Sequence, residues 1–137
     1  MTAVSTSQVQ SVAFKKIPQA ALIAAAIGAV GNAIVWFIGN STATMSFPLP
    51  IVLFSSIFGV LVGAALFAIL AKFTKRPFAI FTIVSIVFLI VSAIGPINAL
   101  NPGGPMQFNM ATTIAAEVMH IISGVAAIWA FNKYPRA

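Results

Sequence analysis

Four stretches of apolar residues follow one another along the chain, each long enough to cross a membrane as a helix. A helix rises 1.5 Å per residue, so about 20 apolar residues cross a hydrocarbon core of about 30 Å. None of the stretches shows the strict alternation of a barrel strand, so the pattern predicts helices. We predict membrane spans over about 17–39, 51–73, 78–94 and 109–131.

The segments around these spans are short and polar, and they predict a single domain. Residues 1–16 form a polar lead-in, 17–132 the four-helix domain, and 133–137 a basic tail. Gly95-Pro96 is predicted to end the third span, because glycine and proline both interrupt helices.

The first span also has a competing interpretation as a secretory signal. Lys15-Lys16 would be its basic region and Ser41 to Ala43 its cleavage site. The apolar stretch is longer than the 7–15 residues typical of a signal peptide, so we expect it to stay in the protein as a membrane anchor.

Composition supports a membrane location. Of 137 residues, 61% are hydrophobic and only 6% are charged, whereas a soluble domain has about 25% charged residues. Such a chain would aggregate in water, so we expect the lipid bilayer to be its solvent.

The basic residues predict the orientation. All lie in the N-terminal segment, in or beside the turn between spans two and three, or in the C-terminal tail. They are Lys15, Lys16, Lys72, Lys75, Arg76, Lys133 and Arg136. Under the positive-inside rule these segments are cytoplasmic. We therefore predict an up-down-up-down, all-α bundle in the plasma (inner) membrane with both termini inside, and no nucleic-acid partner.

Small residues recur every four positions on three of the spans and predict close helix packing. These faces are Ala24-Gly28-Asn32, Ser55-Gly59-Gly63 and Ala116-His120-Gly124. The same faces suit contacts between protomers, so a homo-oligomer or a larger membrane complex stays open. The third span is bulky, and we expect it to face lipid or a partner.

A polar layer is predicted in the outer half of the bundle. Glu117, the only acidic residue, and His120, the only histidine, share a face of the fourth span. Asn32 on the first span lies at a similar depth. The predicted polar cluster comprises Asn32, Ser55, Ser56, Ser92, Thr113, Glu117 and His120.

Ionisable residues inside a membrane are candidates for function. Glu117 and His120 could form a charged pair or a neutral hydrogen-bonded pair. They could fix the helix register with Asn32, bind a polar ligand, or act as acid and base. The sequence assigns no catalytic residue among these alternatives.

The sequence predicts no metal site and leaves any cofactor unknown. Glu117-Val-Met-His120 has the Glu-x-x-His form of di-iron bundles, which use two such copies and two further glutamates. A lone histidine could also ligate haem or chlorophyll. The chain has no cysteine, which excludes thiolate sites.

The residue order resembles uncharacterised four-helix bacterial membrane proteins. Asn32 precedes Trp36 on the first span, Arg76-Pro77 opens the third, which ends near Ser92, and Met119-His120 lies on the fourth. The resemblance implies a fold and a membrane location, but no activity.

Together these patterns predict a non-enzymatic accessory or ligand-binding membrane protein with a polar pocket in the outer half of its bundle. Two alternatives stay open. One is a small intramembrane enzyme or proton-coupled carrier that uses Glu117 and His120. The other is a structural subunit of a larger membrane complex, with or without pigment.

Overall fold

The computed structural model describes residues 9–137 and is all-helical over that range, apart from one isolated backbone bridge. Residues 1–8 of the predicted lead-in lie outside the described residues. A 3-10 turn at Phe14–Lys16 leads into the helices. These are α1 (Ile17–Thr42), α2 (Leu49–Phe73), α3 (Pro77–Ser92), α4 (Ile94–Asn98) and α5 (Met110–Lys133).

Prolines and one asparagine set the starts of the long helices. α1, α2 and α3 each carry a proline at their first or second position, where the missing N–H has no helical partner to lose. α5 has a side-chain cap instead, because Asn109 Oδ1 accepts a hydrogen bond from Thr112 N at 2.7 Å.

Four helical segments within residues 9–137 are long and apolar enough to cross a membrane: Phe14–Thr42, Leu49–Phe73, Pro77–Asn98 and Met110–Lys133. Many large aliphatic and aromatic side chains lie exposed on the outside of the bundle. Water would not tolerate so large an apolar surface, whereas lipid tails cover it at no cost. The fold is therefore that of a four-helix membrane protein.

The third span differs from its prediction at Gly95-Pro96. Helical backbone pauses at Ala93 and then continues as α4 through Asn98. Pro96 lies within the first turn of α4, where N–H groups have no helical acceptor, so it does not end the helix. The third span is also the least buried of the four, in agreement with the prediction that it faces outward.

The small-residue face of α1 is a packing surface, as predicted. Ala24, Gly28 and Asn32 are all buried, and α1 packs mainly against α5 and α2. A Cβ atom built on Gly28 would lie 3.3 Å from Ser123 Oγ. Glycine here allows α1 and α5 to approach closely.

The corresponding face of α2 does not pack within the bundle as the face of α1 does. Among the described residues nothing lies within 4 Å of a Cβ atom built on Gly59, and Ser55 is exposed. α2 instead buries the neighbouring face, which carries Val52, Ser56, Val60 and Phe67. Within the bundle, the Ser55-Gly59 part of this face is left without a helix against it.

Four phenylalanines join α2, α3 and α5 at one end of the bundle. Phe67 lies 5.3–5.4 Å, between ring centroids, from Phe78, Phe81 and Phe131. All four side chains are almost fully buried. Buried aromatic groups of this size contribute strongly to packing, so this cluster holds α2 and α3 together near the turn that connects them.

Backbone hydrogen bonds close the same end of the molecule. Gln10 N donates to Lys75 O at 3.0 Å, and Ala13 N donates to Pro135 O at 2.7 Å. Val12 forms an antiparallel bridge with Arg136. The N-terminal segment, the α2–α3 turn and the C-terminal tail thus meet, and we call this the basic end.

The two longer loops meet at the opposite, neutral end. Asn109 Nδ2 donates to Thr44 O at 2.8 Å, and Ser46 N donates to Thr112 Oγ1 at 3.1 Å. Trp36 Nε1 donates to Phe47 O at 2.9 Å. The first two bonds hold the α1–α2 loop against the start of α5, and the third holds it against α1.

Two glycine substitutions should separate close packing from empty space. In Gly124→Leu, the new Cβ would lie 2.5 Å from both Leu89 Cδ atoms, so we expect the free energy of unfolding to fall by about 1–3 kcal/mol. In Gly59→Leu the space is open, and we expect a change within about 0.5 kcal/mol. Unfolding in mixed detergent micelles, followed by circular dichroism, measures both. Equal losses in the two variants would contradict this account of the packing.

Candidate ligand cavity between α2, α3 and α5

A cavity of about 970 Å³ lies where the unpaired face of α2 would have met another helix. α2, α3 and α5 form most of its wall, and Asn32 of α1 closes it from behind. Phe47 and Phe108, one from each long loop, line it at the neutral end. Their rings pack edge to face with centroids 5.5 Å apart.

Asn32 is the best-positioned polar side chain in this wall. It is only 4% exposed. Its Nδ2 donates to Ser56 Oγ and to Ser123 Oγ, both at 2.8 Å. One amide group therefore bonds α1 to α2 and to α5.

The direction of the amide follows from its neighbours. Ser56 Oγ donates its single proton to Val52 O at 2.7 Å, so towards Asn32 it can only accept. The Asn32 amide must therefore present its NH₂ to Ser56, which directs Oδ1 away. Within residues 9–137, Oδ1 is buried and has no hydrogen-bond partner.

Glu117 and His120 do not form the hydrogen-bonded pair that the sequence left open. No hydrogen bond joins the two in the described part of the chain, and both Glu117 Oε1 and His120 Nδ1 are buried without a partner. The side chains differ in where they lie, since His120 lines the cavity and Glu117 does not. Helical spacing puts Glu117 between Thr113 and Gly124, on the face of α5 that meets α3 and α4.

Of the four predicted hydroxyl residues, three line the cavity and one lies outside its wall. Ser55, Ser56 and Ser92 line the cavity, but Ser55 and Ser92 donate to Val52 O and Leu89 O of their own helices. Thr113 lies outside the wall and donates to Pro96 O at 3.4 Å. Of the seven predicted residues, five therefore surround the cavity.

Four further polar residues of the wall were not in the predicted cluster: Ser46, Ser85, Gln107 and Ser123. Ser123 is the important omission, because it accepts a bond from Asn32. It lies three residues after His120, so the helical period that selected His120 could have selected it as well.

The cavity is polar towards one end and apolar towards the other. Ser46, Ser92 and Gln107 lie on the neutral-end side, and Asn32 and His120 near the middle. Towards the basic end the wall is mainly apolar, with Leu66 and Phe81 at its limit. The arrangement suits a molecule that has one polar and one apolar part.

The positions of the basic residues along the chain determine how much charge lies near the cavity. All seven basic residues belong to the basic-end segments or adjoin them. Within residues 9–137 no group of three His, Cys, Asp or Glu side chains could hold a metal ion. This wall would therefore bind a ligand through hydrogen bonds and complementary shape rather than through ion pairs.

A double-mutant cycle should measure the Asn32–Ser56 bond. Between Asn32→Ala and Ser56→Ala we expect a coupling energy of about 0.6–1.7 kcal/mol, the range for hydrogen bonds between membrane helices. Ser55→Ala is the matched control, because Ser55 bonds only within α2. Unfolding in mixed micelles gives each value. Coupling of Asn32 to Ser55 as strong as to Ser56 would refute the assignment.

Comparison with known proteins places this chain in a family without giving it an activity. No curated protein matches it, and no solved structure matches it. Residues 12–137 match the model of a family described as a family of unknown function, DUF6069. The match covers all four membrane helices, and the chain belongs to this family.

Proposed function

We propose that this protein is a non-enzymatic accessory membrane protein that binds an amphipathic molecule in the cavity between α2, α3 and α5. The observation that supports it most is the cavity itself, of about 970 Å³, whose largely apolar wall carries a few polar side chains, among them Asn32 and His120. A molecule with an apolar part and a polar part would fit both kinds of lining.

The two halves of the Asn32 amide have different hydrogen-bonding environments. The Nδ2 bonds to Ser56 and Ser123 are accounted for by helix packing. Packing does not account for Oδ1, and a buried acceptor left without a donor costs about 1–3 kcal/mol. In the cavity, the role of Asn32 is to hold α1 against α2 and α5, which form much of the wall.

The size and lining of the cavity agree with ligand binding. Ligand pockets typically measure about 300–1,000 Å³, with mostly apolar walls and a few placed polar groups. The cavity has about 970 Å³, and Asn32 and His120 are its placed polar groups. A structural role for the polar cluster alone would not require so much open space beside it.

The alternative of acid–base chemistry by Glu117 and His120 has less support. An acid and a base that serve one reaction must reach the same bound molecule. His120 lines the cavity, but Glu117 is outside its wall. The alternative of a complex subunit has no specific contact in its favour, because the α2 face suited to a partner borders the cavity instead.

We further propose an up-down-up-down path in the plasma membrane with both termini in the cytoplasm. The contacts of Gln10 with Lys75 and of Val12 with Arg136 support it, because they bring three connecting segments to one end. Basic residues concentrate in the same segments, which the positive-inside rule assigns to the cytoplasm.

Single-cysteine labelling should test this orientation, since the chain has no cysteine of its own. An impermeant maleimide added to intact cells should label Asn101→Cys, in the exposed α4–α5 loop. It should label Ser11→Cys, at the basic end, only after permeabilisation. Both positions are exposed. The reverse pattern would invert the proposed topology.

Native mass spectrometry of protein gently extracted from its own membrane should test ligand binding. We expect the wild-type protein to carry added mass from a small molecule. In Gly59→Leu the occupied fraction should fall at least about tenfold, because the new side chain extends into the cavity.

Ala65→Leu is the matched control, since Ala65 is exposed on the same helix and outside the cavity wall. It should retain the added mass. A wild-type protein without added mass, or equal loss from both variants, would reject the proposed ligand binding.

A further inference from the structure

We infer that a groove between α1 and α5, on the outside of the bundle, holds an acyl chain of an anionic phospholipid, and that Lys133 binds the head group of that lipid. This site is separate from the cavity between α2, α3 and α5 and does not depend on the proposed function. The inference follows from the depth of the groove, the cation at its end and the charge balance of the basic end.

The groove has a volume of about 460 Å³ and is lined by apolar side chains of two helices. They are Ile27 of α1 and Ile121, Ile122, Val125, Ala126 and Trp129 of α5. Ile121 and Val125 are each 57% exposed, so the groove faces away from the bundle. In a membrane this surface is covered by lipid tails.

The groove spans the half of the bundle nearest the basic end. Ile27 lies near the middle of α1 (Ile17–Thr42), and Ile121 lies near the middle of α5 (Met110–Lys133). From Ile121 the groove continues along α5 to Trp129, a distance of about 12 Å at 1.5 Å per residue. Half of a hydrocarbon core measures about 15 Å, so the groove matches the depth of one leaflet.

A cation lies where the groove reaches the basic end. Lys133 is one helical turn beyond Trp129 and on the same face of α5. Its Nζ lies 4.9 Å from the centroid of the Trp129 ring and 5.7 Å from that of Tyr134. These cation–π contacts hold the ammonium group beside the end of the groove. Lys133 is exposed, so a lipid head group can reach it.

The two aromatic rings indicate the depth of this cation in the membrane. Trp129 and Tyr134 pack edge to face, with ring centroids 5.6 Å apart. Tryptophan and tyrosine are enriched at the level of the lipid head groups, where an apolar ring body meets water. Lys133 therefore lies where the phosphate of a lipid would be placed if its acyl chain occupied the groove.

The charge balance identifies the kind of head group. The only acidic side chain of the chain is Glu117, which lies 16 residues before Lys133, or about 24 Å along α5. All seven basic side chains are exposed and belong to the basic-end segments or adjoin them. An anionic lipid supplies the opposite charge that the chain itself does not place there. A zwitterionic lipid carries its own cation and has no net charge for Lys133 to attract.

Quenching of Trp129 fluorescence by brominated lipids tests the inference. Trp36→Phe removes the other of the two tryptophans, which is bonded to the loop at the neutral end. This variant is placed in vesicles of phosphatidylglycerol and phosphatidylcholine, with bromine on the chains of one lipid or of the other. The ratio of the two quenching values measures lipid preference, and differences in brightness between variants cancel. We expect phosphatidylglycerol to be preferred about fivefold.

Substitutions in the Trp36→Phe background connect this preference to one cation. Lys133→Gln should bring the ratio close to one, whereas Lys133→Arg keeps the charge and should keep the preference. Lys75→Gln is the matched control, because it removes the same charge from the α2–α3 turn. Its ratio should stay within about twofold of the background, since exposed charges farther apart than a Debye length are largely screened.

Glycerol phosphate in the buffer separates a lipid from a free phosphate. Compared with sodium chloride of equal ionic strength, it should leave the ratio unchanged. If it abolished the preference, a soluble phosphate could replace the lipid, and the lipid site would be rejected.

Two further results would overturn the inference. A ratio close to one in the Trp36→Phe protein would reject the anionic lipid. Equal losses in Lys133→Gln and Lys75→Gln would show that any cation of the basic end suffices, which rejects the groove as the site. If Lys133→Gln does not fold, salt decides, because the preference should disappear at about 1 M sodium chloride. A preference that salt did not change would exclude the contact with Lys133.

Discussion

The Asn32 amide is the interaction on which the arrangement of three helices depends. Its NH₂ group donates to α2 through Ser56 and to α5 through Ser123. Hydrophobicity does not hold helices together in lipid, so close packing and polar bonds of this kind must do so. α3 has no share in the Asn32 bonds and is attached mainly along α5 and at the basic end, which leaves a gap beside α2.

Glycine has opposite consequences on different helices of this bundle. At Gly28 and Gly124 the missing side chain lets a neighbouring helix approach, so a Cβ atom would meet Ser123 or Leu89. At Gly59 it leaves open space. Small residues spaced four apart predict close packing in either case. The spacing describes only one helix surface and says nothing about what lies opposite that surface.

The same limit explains how far the sequence could predict the site. Length and apolarity predict four membrane helices, and the buried face of α1 follows from its period. The bond between Glu117 and His120, one of the alternatives that the sequence left open, is not formed within residues 9–137, although the two are three residues apart. Helical spacing separates their directions by about 60°, and the rotation of α5 in the bundle turns only His120 into the cavity.

The unpartnered atoms are not a general feature of this bundle. Hydroxyl side chains in a helix can donate to a carbonyl one turn earlier, and Ser55, Thr82 and Ser92 all do so. An amide oxygen, a carboxylate oxygen and an imidazole nitrogen have no such local solution. Within residues 9–137 the unpartnered buried side-chain atoms are of these three kinds, on Asn32, Glu117 and His120.

Two of these three residues, Asn32 and His120, lie in the wall of one cavity, although their unpartnered atoms are themselves buried. Part of the polar cluster does fix helix register, because Asn32 bonds Ser56 between α1 and α2. That bond holds α2 to α1, whereas the phenylalanine contacts hold α2 to α3 only near the basic end. The cavity between α2 and α3 therefore follows from where the polar bonds and the aromatic contacts lie along the helices.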